Sequence, residues 1–314
     1  MSSRGSRMPR LSVLSADQFV RAPNETDAEF DKRGQEWMQS FHASVFREIR
    51  FIFGLINGKK VPVQKYEFLT SGTTWTPPAG VYAVLVPRLQ AGGGAGGSKG
   101  GGNTQAGGGG GSGECLRDRW LDCAPGVDLT ISIGAAGAAA AAGDNDGGDG
   151  GDTTISNGTV TLTADGGKGG KKGSVRAGGA GGGVQGGAGG GGGATPTNGA
   201  IGLSSSYISA GSGGGGTDSA GTDPGKAGGA CNEHAGGAGG TSDGTRCGGG
   251  GGGASPFGAG AAGATPSGGD SVAGATPAAT SYGAAGSGAS GGSTARSGGA
   301  GIQGAIELVY WVVE

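Results

Sequence analysis

The sequence has few of the large apolar side chains from which an ordinary hydrophobic core is built. Aromatic residues make up 5% of the 314 residues, and alanine accounts for much of the 34% that is hydrophobic. A chain of this length normally buries about three quarters of the surface that it exposes when unfolded. The composition therefore argues against a conventional globular domain of this size.

Other shortages exclude whole classes of protein. Only 12 prolines are present and the glycines follow no strict Gly-X-Y period, which excludes a collagen triple helix. No apolar run approaches the roughly 18 residues of a membrane span, and no apolar stretch follows the basic first ten residues as in a signal peptide. A net charge of −2 creates no overall attraction to nucleic acid. We expect neither nucleic-acid binding, membrane insertion nor ordinary export.

What the chain does have is glycine, 83 residues of it, concentrated between residues 92 and 301. Uninterrupted runs such as Gly107–Gly111 and Gly248–Gly253 alternate there with Gly-Gly-X triplets. Glycine lacks a Cβ and loses more backbone entropy on ordering than any other residue. The region is therefore either disordered or held together by backbone hydrogen bonds, and composition alone leaves both alternatives open.

The first 62 residues read differently. Residues 1–23 are polar and arginine-rich, which is typical of an extended arm that docks on a partner and equally of a disordered segment. Thr26 and Glu29 then form a capping-box signature, and apolar residues follow at helical spacing up to Asn57 and Gly58. Residues 24–62 are thus predicted to be a helix and hinge, whose apolar face either drives oligomerisation (a trimer is favoured), docks on a partner protein or packs on the chain's own body. The predicted attachment residues are Trp37, Met38, Phe41, Val45, Ile49, Ile52 and Ile56.

Two strand-like regions bracket the glycine-rich body, at residues 63–90 and 302–313. Pro87 interrupts the alternation of the first region and predicts an edge or bulge position. Strong strands on both sides of the glycine region favour pairing between them. A disordered linker needs no such closure, so the bracket favours a folded body.

The motifs across this region stand in an ordered series. Phe68, Ser71-Gly72, Trp75-Thr76 and Pro78–Val81 come first, then alternating valines and glycines 92–97, then the strand-like segment 127–134, then Gly-Gly-X-Gly-Gly segments at 147–153 and 164–170. This series resembles the glycine-rich domain of bacteriophage tail-fibre tips and adhesins, over about residues 66–314. The resemblance implies a stacked polyglycine-II sandwich. We therefore predict a mostly irregular, polyglycine-II helical body framed by short β-strands within a domain of residues 63–314, preceded by an N-terminal α-helix.

A rigid glycine scaffold buries little side chain, so recognition is expected in the islands that interrupt it. Aromatic and arginine side chains dominate known recognition surfaces. For Phe257 and Tyr282 the alternative is that they plug the ends of the glycine stack. The predicted receptor-binding residues are Arg117, Arg119, Trp120, Leu121, Tyr207, Ile208, His234, Phe257 and Tyr282.

No pattern in the sequence points to catalysis, a cofactor or a metal. The sequence has only two histidines, one of which is His234, and no spacing singles out a carboxylate pair. The four cysteines fit no familiar zinc finger, and a single Gly-Gly-Asp segment lacks the tandem copies of a calcium-binding repeat. Local disulfides, Cys115 with Cys123 and Cys231 with Cys247, are favoured over zinc, although the spacing does not fix the pairing.

We therefore predict a receptor-binding protein of a phage tail, not an enzyme, located in the virion and assembled in the host cytoplasm. Its expected partners are other tail proteins, further copies of itself and a bacterial surface receptor, protein or glycan. The alternative is a structural virion protein, such as a fibre connector or capsid decoration, without a receptor. The predicted head helix disfavours an extracellular glycine-rich matrix or ice-binding protein. A polysaccharide depolymerase is disfavoured because the sequence lacks a long β-repeat region.

Overall fold

The computed structural model describes Phe46, Ile49 and residues 62–100, 105–182, 213–214, 224–268 and 270–313. The chain divides into two compact units, residues 1–64 with 311–314, and residues 65–310. In the first unit the ring of Phe46 stacks on that of Trp311, with centroids 4.5 Å apart. Within the described ranges, no helix is long and apolar enough to cross a membrane.

Eight strands form two four-stranded antiparallel sheets. Their bounds are β1 Pro62–Leu69, β2 Thr74–Trp75, β3 Ala83–Gln90, β4 Cys115–Asp122, β5 Leu129–Ser132, β6 Thr153–Ser156, β7 Thr161–Ala164 and β8 Ala305–Val313. The strand order is β1-β8-β3-β4 in the first sheet and β2-β5-β6-β7 in the second. The strands that bracket the glycine region thus lie side by side, with β8 between β1 and β3.

Pro87 lies in the interior of the first sheet, because β3 pairs with both β4 and β8. The pairing with β8 shifts register between Leu85 and Arg88, whereas the pairing with β4 stays regular. Proline has no N–H to donate to a ladder, so a bulge accommodates it. Of the two predicted positions, the structure has the bulge and not the edge.

The hydrophobic core lies on one face of the first sheet and under the second. Val84 and Val86 of β3 are fully buried, as are Leu89, Leu121, Ile306 and Leu308 of the same sheet and Leu129 and Ile155 of the other. Val84 with Val86, and Ile306 with Leu308, stand two residues apart, as the two-residue period of a strand requires. The bulge at Pro87 shifts this period, so that Leu89 is also buried. We call this the inner face of the first sheet.

Glu67 of β1 anchors this side of the sheet to two aromatic residues. Its carboxylate accepts a hydrogen bond from Trp75 Nε1 at 2.7 Å and one from the Tyr310 hydroxyl at 2.6 Å. The rings of Trp75 and Tyr310 lie 5.2 Å apart, and both residues are 7% exposed. A partly buried charge is thereby hydrogen-bonded on both carboxylate oxygens.

The glycine-rich segments are neither helices nor regular strands, and their amides bond to several neighbours in turn. In the segment 91–99, successive amides donate to three antiparallel segments, and the choice repeats every third residue. Gly93, Gly96 and Lys99 donate to Ile302, Gly299 and Arg296; Gly94 and Gly97 to Gly111 and Gly108; Gly92, Ala95 and Ser98 to Gly151, Gly148 and Asn145. Side-chain-free positions are needed wherever a neighbour lies this close. A Cβ at Gly94 would stand 2.3 Å from the Lys168 carbonyl oxygen.

The predicted fold class is wrong. The described residues between 62 and 313 form strands and no helix, and they are built on two antiparallel sheets rather than on a helical body with a short strand frame. Glycine content dominated the sequence argument, and the strands β4, β6 and β7 lie inside the region that it assigned to the body. The predicted N-terminal helix falls on residues 24–62, of which the structure describes Phe46 and Ile49, both with helical backbone, and Pro62, the first residue of β1.

The segment 114–123 shows the same error locally. It was expected to be a recognition loop closed by a disulfide, but Cys115–Asp122 is the edge strand β4. A strand rises about 3.3 Å per residue, so Cys115 and Cys123 lie at opposite ends of it, too far apart to pair. Cys231 and Cys247 are not joined by a disulfide either, so neither expected disulfide is present among the described residues.

Candidate functional site

A row of polar side chains crosses the first sheet on its outer face, opposite the core. Arg88 of β3 stands opposite Arg117 of β4 on one side and Glu307 of β8 on the other. The row ends at β1, where the Tyr66 hydroxyl donates a hydrogen bond of 3.0 Å to Glu307 Oε1. The register therefore brings a tyrosine, a glutamate and two arginines from four strands into one line.

Glu233, from the turn that follows Cys231, joins the two arginines. Its Oε2 lies 3.3 Å from Nη2 of Arg88, and its Oε1 accepts a hydrogen bond from Nη2 of Arg117. On its other side, Nε of Arg88 lies 3.8 Å from Oε2 of Glu307. Two guanidinium groups and two carboxylates thus alternate across the sheet, and their formal charges cancel.

Three aromatic rings lie beside this ionic row. Phe68 of β1 is 5.2 Å from Tyr282 and 5.8 Å from Phe257, and the latter two are 5.9 Å apart, measured between ring centroids. Ser255 holds the two loop residues in place, because its Oγ donates to the Tyr282 carbonyl at 2.6 Å and accepts from the Phe257 amide at 3.3 Å. Edge-to-face contacts of this kind add stability beyond the area they bury.

Arg88 connects the ionic row to the rings, since its Cζ lies 5.0 Å from the centroid of Phe257. Tyr66 remains 58% exposed and Phe68 38% exposed, so the assembly is open to solvent on one side. Burial, and then the charge and hydrogen bond of Glu307, raise the pKa of Tyr66 to about 12. Its hydroxyl is therefore a hydrogen-bond donor at neutral pH. We call the whole group the outer-face cluster: Tyr66, Phe68, Arg88, Arg117, Glu233, Phe257, Tyr282 and Glu307.

The structure unites some of the predicted site residues and separates others. Arg117, Phe257 and Tyr282 belong to the outer-face cluster, and His234 follows Glu233 directly in the chain. Arg119 and Trp120 are exposed on β4, Trp120 to 52%. Leu121 is 1% exposed on the inner face, so it belongs to the core and presents nothing to a receptor. The other two predicted residues, Tyr207 and Ile208, lie outside the described residues.

The predicted attachment residues are mostly outside the described residues as well. Ile49 is described and is 39% exposed. Trp37, Met38, Phe41, Val45, Ile52 and Ile56 lie outside, so the prediction of an oligomerisation face stays a prediction.

Five members of the cluster are not among the residues predicted from the sequence. Tyr66, Phe68, Arg88 and Glu307 lie within strands, where outward-facing positions alternate with core positions, and that alternation was the available signal. Glu233 carried no signal of its own, because only the folded chain brings its turn over the two arginines.

The cluster offers aromatic rings and hydrogen-bonding charged groups to a ligand, but it shows no metal-binding arrangement. Within the described ranges, no group of three or more His, Cys, Asp or Glu side chains could hold a metal ion. Burial raises the pKa of Cys115, which lies on β4 two residues before Arg117, to about 12, so its thiol stays protonated. Exposed rings beside hydrogen-bonding charged groups are suited to a ligand with both an apolar face and polar substituents.

A family model described as a glycine-rich domain matches residues 69–311, well over half of the chain. That stretch includes both sheets from β2 to β8 and every member of the outer-face cluster except Tyr66 and Phe68. No curated protein matches the chain.

Proposed function

The chain belongs to the glycine-rich domain family, and from this premise we propose that it is the receptor-binding protein, or adhesin, of a bacteriophage tail. The assignment to a phage tail rests on the ordered motifs from Phe68 to Gly170, which resemble those of tail-fibre tips. In this proposal the protein acts by binding a bacterial surface receptor and not by catalysis.

The observation that carries the proposal is the outer-face cluster on its scaffold. Its members come from three strands near the chain ends, from β4 and from three separate turns, yet hydrogen bonds and ring contacts fix them in one surface. Beneath and around them, glycine-rich segments bond to several neighbours through nearly every amide. Aromatic and arginine side chains on a rigid support are the usual material of a binding hot spot.

The remaining parts take supporting roles in the proposal. Residues 1–62 attach the protein to other tail proteins, and it assembles as a homo-oligomer, with a trimer favoured. The protein is then located in the virion after assembly in the host cytoplasm. The glycine segments are joined by backbone hydrogen bonds, in which the cluster's side chains take no part, so in this proposal those side chains can be changed without refolding the body.

The experiment uses the fluorescently labelled full chain and a panel of bacteria. We expect binding to a host strain, together with inhibition of adsorption by the corresponding phage. A double variant, Arg117→Ala with Phe257→Ala, should reduce cell binding at least tenfold. Val272→Ala is the control. Val272 is 37% exposed, and its backbone amide donates to Ser290 Oγ rather than to a member of the outer-face cluster.

One result would turn the proposal down, and a second would remove the outer-face cluster as its site. If the full chain is present in virions but neither binds bacteria nor blocks adsorption, the alternative of a structural virion protein holds. If binding persists unchanged in the double variant, the receptor site lies elsewhere on the chain, and the exposed pair Arg119 and Trp120 is the next to be tested.

A further inference from the structure

We propose that Arg88 and Arg117 form a subsite for the acidic group of an anionic sugar, and that Glu233 occupies this subsite when no ligand is bound. The inference rests on the proposed function for the source of the ligand, a bacterial surface glycan. It goes further by naming the chemistry that the cluster recognises and the residue that guards it.

The first argument is the way in which Glu233 is held. An arginine and a carboxylate usually pair through two parallel hydrogen bonds. Here the carboxylate is divided, with Oε2 on Arg88 and Oε1 on Arg117. Each arginine therefore receives one oxygen and keeps donors that this glutamate cannot reach.

One of those spare donors is buried. Nε of Arg117 is shielded from solvent, and no described residue accepts a hydrogen bond from it. A buried donor of a charged group that lacks an acceptor costs free energy. A ligand with three acceptor oxygens, such as a sugar phosphate, or a carboxylate beside a ring hydroxyl, would supply the missing acceptor where the two oxygens of Glu233 do not.

The second argument is the charge that remains when Glu233 moves away. Glu307 stays in place, because Tyr66 donates to it and Arg88 lies beside it in the ladder. Two guanidinium groups then face a single carboxylate, which leaves an excess of one positive charge. Asp118 and Arg119, the other charged residues of this part of β4, are exposed and offset each other. An incoming acid restores the balance.

The third argument concerns the rest of the ligand. Phe257 lies under Arg88, and Phe68 and Tyr66 continue the apolar surface at the open side of the row. Flat aromatic faces next to an acid-binding pair suit a pyranose ring that carries an acidic substituent. A neutral sugar uses the rings but not the arginines, and an inorganic anion uses the arginines but not the rings.

The experiment measures binding of glucuronic acid, glucose 6-phosphate, glucose and inorganic phosphate to the full chain by isothermal titration calorimetry. In Glu233→Ala we expect the two acidic sugars to bind at least tenfold more tightly than to the unaltered chain, with glucose unchanged. Adding Arg117→Ala to that variant should abolish the gain. Asp122→Ala is the matched control and should show no gain. It removes an exposed carboxylate at the end of β4, the strand that carries Arg117.

Glu233→Gln guards against a loss of folding, since it keeps the shape of the side chain while removing its charge, and it should show the same gain. The inference is overturned if neither Glu233 variant binds the acidic sugars more tightly, or if Asp122→Ala gains as much. Inorganic phosphate binding as tightly as the sugars would reduce the subsite to an ion site without sugar recognition. Tighter binding of a tetraglutamate peptide would assign it to an acidic protein instead.

These outcomes are independent of cell binding. A chain that binds bacteria while its Glu233 variants gain nothing keeps the proposed function and loses this inference. If the chain binds no bacterium while Glu233→Ala gains affinity for acidic sugars, this inference is kept and the proposed function is lost.

Discussion

Asp149 accepts a hydrogen bond of 2.8 Å from the backbone amide of Gly169, and its other carboxylate oxygen lies 3.1 Å from Nζ of Lys168. The contact is one of a series along two neighbouring segments. Asp152 serves the amide of Gly166, Asp146 that of Lys172 and Asp144 that of Ser174. The series advances in steps of three between Asp146 and Asp152, as the backbone bonding of the glycine segments does. Aspartate side chains therefore take the place of a neighbouring backbone along this border.

This series predicts a loss of stability in acid. Partial burial would raise the pKa values of Asp144, Asp146 and Asp149, but the amide hydrogen bonds and the lysines outweigh it and lower them. A carboxyl whose folded pKa lies below its unfolded value of about 3.9 stabilises the fold above that pH and loses this contribution as pH falls through the folded pKa. We expect Asp149→Asn to lower the free energy of unfolding at pH 7 by under about 1 kcal/mol, because the pair is exposed.

The measurement is urea unfolding at pH 7 and at pH 2.5. Asp149→Asn should differ from the unaltered chain at the higher pH and converge with it at the lower one. Asp122→Asn, at the exposed end of β4, is the control. An equal deficit at both pH values would show that the carboxylate charge of Asp149 does not contribute.

The second prediction concerns the space around the glycines. A Cβ at Gly109 would stand 2.0 Å from the carbonyl oxygen of Gly251, whereas one at Gly100 would meet Asp144 Cβ at 3.5 Å, an ordinary contact. Overpacking of a close contact costs about 1–3 kcal/mol or more, and backbone cannot yield as a side chain can. We expect Gly109→Ala to lower the thermal midpoint sharply and Gly100→Ala to leave it unchanged or raise it slightly, through the smaller entropy of the unfolded chain. Equal midpoints in a calorimetric scan would contradict the close packing.

Part of the fold could be predicted from the sequence. Alternation located strands near β1, β3 and β8, because these strands carry most of the large apolar residues and face a core on one side only. Glycine density located the body for a simple physical reason, namely that segments this close tolerate no Cβ.

The rest depended on contacts that composition does not show. The strand β4 carries charged residues on its outer positions, and Asp118 adopts a positive φ of 50° within it, so it reads as a loop. The outer-face cluster combines strand positions with turns that are far apart in the chain. Only the pairing of β3 with β4 and β8 brings Arg117 and Glu307 to the two sides of Arg88.

A third prediction arises from Lys99, the largest fully buried side chain of the described residues. No described residue accepts a hydrogen bond from its Nζ. Burial lowers the pKa of Lys99. The charge of Arg246 lowers it further, whereas the neighbouring Cys247 raises it. Because the unfolded chain binds this proton more strongly, stability rises with pH through the window between the folded pKa and about 10.4.

We expect Lys99→Met to raise the free energy of unfolding at pH 7 by about 1 kcal/mol or more, since an apolar side chain avoids the cost of burying an unpaired charge. The variant should also lose part of the rise in stability above pH 7. Lys168→Met, which removes an exposed lysine, is the control and should be slightly destabilised. A destabilised Lys99→Met would show that the buried amine has an acceptor.

The four cysteines give a fourth prediction. Without reductant, the urea-unfolded chain should release four equivalents in a thiol assay, because none of the four is bonded to another. In the folded protein Cys123 should react first, since it is half-buried, whereas Cys115, Cys231 and Cys247 are buried. Burial also raises the pKa values of Cys115 and Cys231, which keeps them as unreactive thiols. Two equivalents or none from the unfolded chain would restore the disulfides expected from the sequence.

The last prediction tests how Glu67 joins β1 to β8. Burial, and then the hydrogen bond and charge of Glu67, raise the pKa of Tyr310 to about 12. A group whose folded pKa is raised holds its full contribution below the unfolded value of about 10 and loses it as pH rises towards 12. We expect Tyr310→Phe to lower the free energy of unfolding at neutral pH by about 1.5–3 kcal/mol, because a hydrogen bond to a charged, partly buried carboxylate is lost.

Between pH 10 and 12 the free energy of unfolding of the same variant should fall less steeply with pH than that of the unaltered chain. The measurement is urea unfolding at several pH values. Tyr66→Phe is the matched control, because Tyr66 also donates to a glutamate and also has a pKa near 12, but is 58% exposed. Its loss at neutral pH should be clearly smaller, since water replaces the missing partner of Glu307 but cannot easily reach Glu67 between Trp75 and the sheet. If both variants lose the same stability, burial around Glu67 does not strengthen its hydrogen bonds, and the carboxylate is better solvated than its two aromatic partners indicate.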